Sequence, residues 1–220
     1  MLYIVSTPIG NLKDISLRAL DVLKSVDLIV AEDTRHSGKL LKEYDIKTPL
    51  NSFHSHSSRG KLDFIIKLLE EGKNVALISD AGTPGVSDPG YPLIQEAILK
   101  NISISAVPGA SAAIAALTLS GFPMHRFLFL GFLPLKKGRQ TLIKSFKEQD
   151  FTIIFFESPH RIYKTLKQIY EISGDFQAAV CREMTKMHEE VIRGKISDLI
   201  NLFEKNKPKG EFVVVLKREL

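Results

Sequence analysis

Twelve residues, Ser79-Asp80-Ala81-Gly82-Thr83-Pro84-Gly85-Val86-Ser87-Asp88-Pro89-Gly90, hold three glycines, two prolines and two aspartates directly after an apolar run. Glycine at that density lets a backbone take positive φ and come close to a ligand. Proline restricts the same loop, so it is shaped rather than floppy. A long loop with this chemistry reads as a ligand-binding segment rather than a plain connection. Val107-Pro108-Gly109-Ala110-Ser111-Ala112 and Ser6-Thr7-Pro8-Ile9-Gly10-Asn11 are two further turns of small residues. Such turns open backbone N–H groups to a carboxylate or hydroxyl, or else serve close helix–sheet packing. None of the three is a GxxxxGK[ST] or a GxGxxG, which disfavours a P-loop NTPase and a NAD-binding Rossmann domain.

Four other segments concentrate ionisable groups. Ala31-Glu32-Asp33-Thr34-Arg35 reads either as a helix start capped by Thr34, with acids at its positive end, or as a site. Phe156-Glu157-Ser158-Pro159-His160-Arg161 follows a very apolar strand, and Pro159 suits the first turn of a helix. Cys181–Glu190 packs seven ionisable residues into ten positions, as a salt-bridged turn or a site. Cys181 itself reads as a buried strand residue, since a reactive thiol needs partial exposure. Lys136-Lys137-Gly138-Arg139 is the clearest basic loop; with Arg126, Lys144 and Lys147 it can contact phosphates. His54 and His56 lack an obvious third ligand, so no metal is expected.

These loops need a scaffold, and the pattern supplies one. Short apolar runs at Tyr3–Val5, Leu28–Ala31, Val75–Ile78 and Ile104–Val107 alternate with helical spacing at 15–23, 37–44, 61–71, 91–99 and 110–119. That alternation predicts βαβ units and a mostly parallel sheet. Ligands in such sheets bind beyond the carboxyl ends of the strands, which singles out the loops after Val5, Ala31, Ser79 and Val107. Gly121-Phe122-Pro123 is a natural break, dividing an N-terminal domain 1–121 from a C-terminal domain 122–220. The second half restarts with strands at Phe127–Leu133 and Phe151–Phe156. Helices follow at 141–146, 162–170 and 196–203, with strands at 178–181, near Val191 and at 211–216. Closely spaced strands at the end predict a mixed sheet.

The 220 residues are 44% hydrophobic and 25% charged, which excludes a disordered chain. One cysteine excludes a disulfide framework and a cysteine-rich zinc module. No targeting signal or membrane span is visible, so a cytoplasmic protein is expected. The net charge of +5 is uneven: 12 basic and 13 acidic residues precede position 121, and 18 and 12 follow it. The basic half suggests a polyanion-facing surface, against the alternative of a solvated lysine-rich face.

Taken in order, these motifs resemble those of the bacterial small-subunit ribosomal RNA 2′-O-methyltransferases within the tetrapyrrole-methylase superfamily. The resemblance rests on Ser6–Leu12, Ala31–Arg35, Ser79–Gly90, Val107–Ala112, Gly131–Pro134, Glu157–Arg161, Arg182–Lys186 and Gly210–Val213, and it runs from residue 3 to about 216. One departure is that His56 is followed by Ser57-Ser58, where many relatives have Asn-Glu.

The resemblance implies a two-domain α/β, tetrapyrrole-methylase-like fold: a mostly parallel N-terminal sheet, a mixed C-terminal sheet and a cleft between. It implies transfer of a methyl group from S-adenosylmethionine to the ribose 2′-oxygen of a decoding-centre cytidine in 16S rRNA. It also implies a homodimer and no metal. The cofactor is expected at Asp80, Ala81, Gly82, Val86, Ser111 and Ala112, with Phe156, Glu183 and Gly210 from the second domain. Pro8 and Asn11 are expected to face the acceptor. A ribose hydroxyl is a poor nucleophile, so a base or hydrogen-bond acceptor is expected among Asp33, Glu157, His160 and Glu183. Arg35, Arg161 and Lys186 are expected to hold phosphates or orient the acceptor, and Lys136, Lys137 and Arg139 to face RNA. The expected substrate is a mature or near-mature small subunit. The rivals are a small-molecule, tetrapyrrole-type methyltransferase of the same fold and an inert RNA- or ribosome-binding protein.

Overall fold

A computed structural model describes residues 1–54, 58–205 and 209–218 of the chain. The chain forms two units, Met1–Ser111 and Ala112–Leu220.

The first unit alternates five strands with four helices: β1 (Leu2–Val5), α1 (Leu17–Ser25), β2 (Leu28–Ala31), α2 (Thr34–Glu43), β3 (Leu50–Ser52), α3 (Arg59–Glu70), β4 (Val75–Ile78), α4 (Tyr91–Leu99) and β5 (Ile104–Val107). The sheet order is β3-β2-β4-β1-β5, and every neighbouring pair is parallel. Side chains of β4 alternate between two cores. Val75 and Leu77 pack with Leu62, Ile66 and Leu93, while Ala76 and Ile78 pack with Leu23, Ile29 and Leu41. Helices therefore cover both faces, which is why β4 reads as an unbroken apolar run. A parallel ladder sends every strand's carboxyl end to the same edge.

Two local details differ from the expectation. Helix α2 begins at Thr34 rather than Ser37, and its cap is Asp33 rather than Thr34: Asp33 Oδ1 accepts from the Arg35 backbone N–H at 2.8 Å. An aspartate there satisfies one of the orphan donors of the first turn. Strand β3 has no counterpart among the expected strands. It is a three-residue edge strand with two polar residues, so it carries no apolar run to detect.

The second unit comprises α5 (Ala112–Ser120), β6 (Phe127–Phe132), α6 (Arg139–Lys144), β7 (Thr152–Glu157), α7 (Ile162–Ser173), β8 (Gln177–Arg182), β9 (Glu190–Lys195), α8 (Ile196–Lys205) and β10 (Phe212–Lys217). Its sheet is mixed, in the order β6-β7-β10-β8-β9, with β6 and β7 parallel and the remaining pairs antiparallel. Phe146, Phe155, Leu166, Ile169, Phe203 and Val214 form its core. Helix α5 lies on β8 and β10, its alanines allowing close approach, with Cys181 Sγ 3.9 Å from the Ala116 carbonyl oxygen. The unit thus begins at Ala112, ahead of α5, whereas the break at Gly121–Pro123 follows that helix. Gly121, at φ +75°, stops it there.

Candidate functional site

The carboxyl edge of the first sheet is stitched together by its loops. Thr7 and Gly82 exchange backbone hydrogen bonds of 2.8 and 3.1 Å. Thr7 Oγ1 donates to the Ser79 carbonyl at 3.0 Å, and the Ser6 and Thr83 hydroxyls lie 2.8 Å apart. The Ser6 N–H donates to the Val107 carbonyl at 3.1 Å. A side chain at Gly109 would stand 3.0 Å from Ser6 Cβ, so the turn after β5 sits tightly against the turn after β1. Gly82 and Gly85 take φ of +81° and +85°, the turns for which this loop is rich in glycine. The three segments singled out for backbone chemistry are therefore one cluster, because β4, β1 and β5 are neighbours.

The same edge gathers acids. The Asp33 N–H donates to Asp80 Oδ1 at 3.2 Å. A cavity of about 400 Å³ is lined by Glu32, Phe53, His54, Ser87, Asp88, Pro89, Gly90, Tyr91 and Pro92. Burial, then the nearby Glu32 and Asp80 charges, push the Asp88 carboxyl up to about 6 against a hydrogen bond from Ser79. Glu32 is raised as well, by burial first and then by Asp80, with His54 opposing. Asp33 behaves oppositely. Arg35 Nε and Nη2 donate to its two oxygens at 3.1 and 2.7 Å, and hold its carboxyl well below the usual carboxylate range. Glu32 and Asp88 were not among the expected acid–base residues. Their signal is legible in hindsight: four acids follow β2 and β4, and those strands pair.

In the second sheet one edge also collects the chemistry. The register pairs Phe132 with Phe156, Phe212 with both Glu157 and Arg182, and Arg182 with Glu190. The loops after β6, after β7, between β8 and β9, and before β10 therefore leave side by side. Glu157 has a fully buried side chain. Its Oε1 accepts from the Ser158 N–H at 2.8 Å and from Arg161 Nε at 2.7 Å, and its Oε2 accepts from Thr165 Oγ1 at 2.7 Å. Arg139 points inward. Its Nε reaches Gln168 at 2.7 Å, Nη1 the Pro134 carbonyl at 3.0 Å and Nη2 Thr165 Oγ1 at 2.7 Å.

Glu183 lies at φ +47° and Thr185 at φ +65°, two non-glycine residues in the left-handed region within one turn. Glu183 Oε1 accepts from the Glu211 N–H at 2.9 Å and from Lys186 Nζ at 3.0 Å. Those two partners, the backbone donor foremost, hold its carboxyl below the usual range. Lys186 also reaches Glu211 at 2.8 Å. A side chain on Gly210 would lie 2.5 Å from Glu183 Cγ, so only glycine fits.

The remaining expected residues are scattered by role. Pro8 is buried, while Asn11 Oδ1 caps a short 3-10 turn at 3.1 Å from the Lys13 N–H. Ala81 and Val86 are exposed, and Ser111, Ala112 and Phe156 are half-buried. Phe156 packs edge-on against Phe129 and Phe132. His160, Lys136 and Lys137 are exposed. His56 lies outside the described residues. Burial raises the Cys181 thiol to about 11, the state of a core residue. Among the described residues no group of three or more potential ligands could hold a metal, and no helix is long and apolar enough to cross a membrane.

The sequence is 53% identical to the ribosomal RNA small subunit methyltransferase I of Thermotoga maritima, over 98% of this chain and 97% of that one. It is 46% identical to the protein of the same name from Bacillus subtilis, over 99% of this chain and 75% of that one. Among solved structures, a diphthine synthase superposes with a TM-score of 0.73 at 18% identity, covering 100% of this chain and 90% of the other, which shows the shared fold. The model of the tetrapyrrole (corrin/porphyrin) methylases matches residues 1–200. With loops, sheets and sequence in agreement over nearly its whole length, the chain belongs to the tetrapyrrole methylase family.

Proposed function

We propose that this chain is an S-adenosylmethionine-dependent methyltransferase that 2′-O-methylates a decoding-centre cytidine of 16S rRNA in the small ribosomal subunit. The observation that carries this reading is the 53% identity, over 98% of the chain, to a relative named for ribosomal RNA methylation. A ribosomal substrate also places the protein in the cytoplasm, and we take it to act as a homodimer. Light scattering at about twice the 24.6 kDa chain mass tests the dimer.

The loop after β4 suits the cofactor. Ala81 is exposed and Ala110–Ala112 are half-buried, so their small side chains leave backbone accessible, and Asp80 offers a carboxylate to hydroxyl or ammonium groups. In the first unit Asp80, Ala81, Gly82, Val86 and Ser111 would hold it. When bound it supplies a methyl group already activated on a sulfonium. The residues' task is then alignment, which can remove about 7–11 kcal/mol of a barrier.

Of the four expected acid–base candidates, three are engaged elsewhere. Asp33 is clamped by Arg35, Glu183 by Lys186 and the Glu211 N–H, and Glu157 is enclosed with its donors. We assign the ribose proton to Asp88 Oδ instead. It shares a cavity with His54, Glu32 and the exposed Tyr91 ring, against which an unstacked cytosine can lie. His160 at the head of α7, with Arg35, Arg161, Lys186, Lys136 and Lys137, is placed on the RNA backbone, and Pro8 and Asn11 beside the acceptor.

The test is transfer of tritiated methyl groups from S-adenosylmethionine to small subunits lacking the modification, followed by nucleoside analysis. The expected product is 2′-O-methylcytidine. Label on uroporphyrinogen but not on subunits overturns the reading, and equal label on a short free oligonucleotide overturns the subunit as substrate.

A further inference from the structure

The second unit buries one carboxylate completely, and its partners form a chain. Glu157 ends β7 and holds Arg161 through Nε and Nη2 at 2.7 and 2.6 Å. On its other oxygen it accepts from Thr165 Oγ1, which in turn accepts from Arg139 Nη2. Arg139 then closes the loop after β6 upon itself, with Nη1 on the Pro134 carbonyl and its own N–H 3.3 Å from the Lys136 carbonyl. Gly138, at φ +79°, turns the chain into α6 behind that closure. What the closed loop shows to solvent is Leu135, Lys136 and Lys137.

A buried ion pair seldom stabilises a fold more than an apolar filling of the same shape, because desolvation offsets attraction. Geometry is what this network adds. β6 and β7 are parallel neighbours, and it fixes the loops leaving both strands to one carboxylate. This unit also carries the excess of 18 basic over 12 acidic residues.

We infer that Glu157 is a positioning residue for the RNA: from inside the fold it fixes Arg161 directly, and through Thr165 and Arg139 it fixes the loop presenting Lys136 and Lys137 to the phosphate backbone. The inference rests on the ribosomal substrate proposed above. It places Arg139 behind the binding surface, where its fork of donors matters more than its charge.

Thr165→Val keeps the shape, cuts the link between Glu157 and Arg139, and leaves the Glu157–Arg161 pair intact. Well below its unfolding temperature it should raise the KM for small subunits about 5-fold to 10-fold, a contact-sized effect. The kcat and the dissociation constant for S-adenosylmethionine should stay within about twofold. Lys136→Ala/Lys137→Ala should lower the salt slope of subunit binding by about 2, one per phosphate contact. Adding Thr165→Val to that pair should cost nothing further, since sites that act through one another are not additive. If Thr165→Val fails to fold, Arg139→Lys carries the same expectation, because it keeps the charge and loses the fork. A KM equal to wild type, or a full additive loss in the triple variant, overturns the inference while leaving the proposed function standing. A wild-type protein that neither binds nor methylates small subunits overturns both.

Discussion

Both sheets present one edge of loops, and the two edges treat acidic side chains in opposite ways. On the first, Glu32, Asp80 and Asp88 crowd together, and burial plus mutual repulsion raise Glu32 and Asp88. On the second, each acid meets a cation or a backbone donor: Glu157 with Arg161, Glu183 with Lys186, Arg182 with Glu190. A raised carboxyl near neutrality can take and return a proton, whereas a paired one cannot do so cheaply. The pairing on the second edge suits holding loops still and meeting phosphates. The first edge suits handling a hydroxyl.

The largest test of this contrast is Asp88→Asn. If Asp88 accepts the ribose proton, single-turnover kcat should fall about 100-fold, the lower end for loss of a general base. The wild-type rate should show an acid limb centred near pH 6, where Asp88 takes up its proton, and the variant should lose that limb. Stability should move the other way. A carboxyl whose folded pKa is raised binds its proton more tightly when folded, so it burdens the fold only once ionised. Below about pH 4 both proteins should melt alike. Above about pH 6 the variant should melt higher, by about 3 °C after allowance for partial exposure. Equal rates and flat melting differences would mean that the first edge does no proton work.

Gly210→Ala tests the rigidity of the second edge. The new methyl would meet Glu183 Cγ at 2.5 Å with the backbone at φ +98°. The left-handed backbone alone costs about 1–2 kcal/mol, and the collision adds to it. Urea unfolding should show a loss of about 3 kcal/mol. Adding Glu183→Ala should recover part of it by opening space, and the backbone cost should remain. No recovery would mean that Gly210 is there for another neighbour.

How much of this was legible in the sequence depends on the range of the interaction. The parallel sheet was legible, because Val75–Ile78 is apolar at every position and only a doubly covered strand has that reason. The loop cluster was legible too, since parallel strands must end together. Arg139 was misplaced. As one member of a Lys-Lys-Gly-Arg run it reads as surface charge, and nothing within the run tells of Glu157 and Thr165, which reach it across β7 and α7. Asp33 and Glu183 were chosen for acidity. Their protonation depends on Arg35, Lys186 and the Glu211 N–H, and the last of these lies 28 residues from Glu183. Asp88 was passed over because its value arises from burial, which a glycine-rich loop does not advertise.

Asp33 is the exception on the first edge, and the smallest substitution tests what makes it one. It sits beside Asp80 yet is held low by Arg35, whose side chain is 89% exposed. Arg35→Ala should therefore turn Asp33 from a second-edge acid into a first-edge one. Its carboxyl carbon, followed by NMR, should titrate higher, towards the ordinary carboxylate range. The sign of the stability change follows from the same pair. A depressed carboxyl stabilises above its unfolded pKa and loses that contribution as the pH falls through the folded one. The variant should lose its small deficit in acid and show it at neutral pH. Exposed ion pairs contribute little, so the melting difference should stay within about 1 °C. The helix keeps its cap, because the Arg35 N–H that Asp33 accepts belongs to the backbone and survives the substitution. The KM for subunits should rise a few-fold from the lost phosphate contact. A melting point several degrees lower would show that the Arg35 guanidinium holds the fold rather than the substrate.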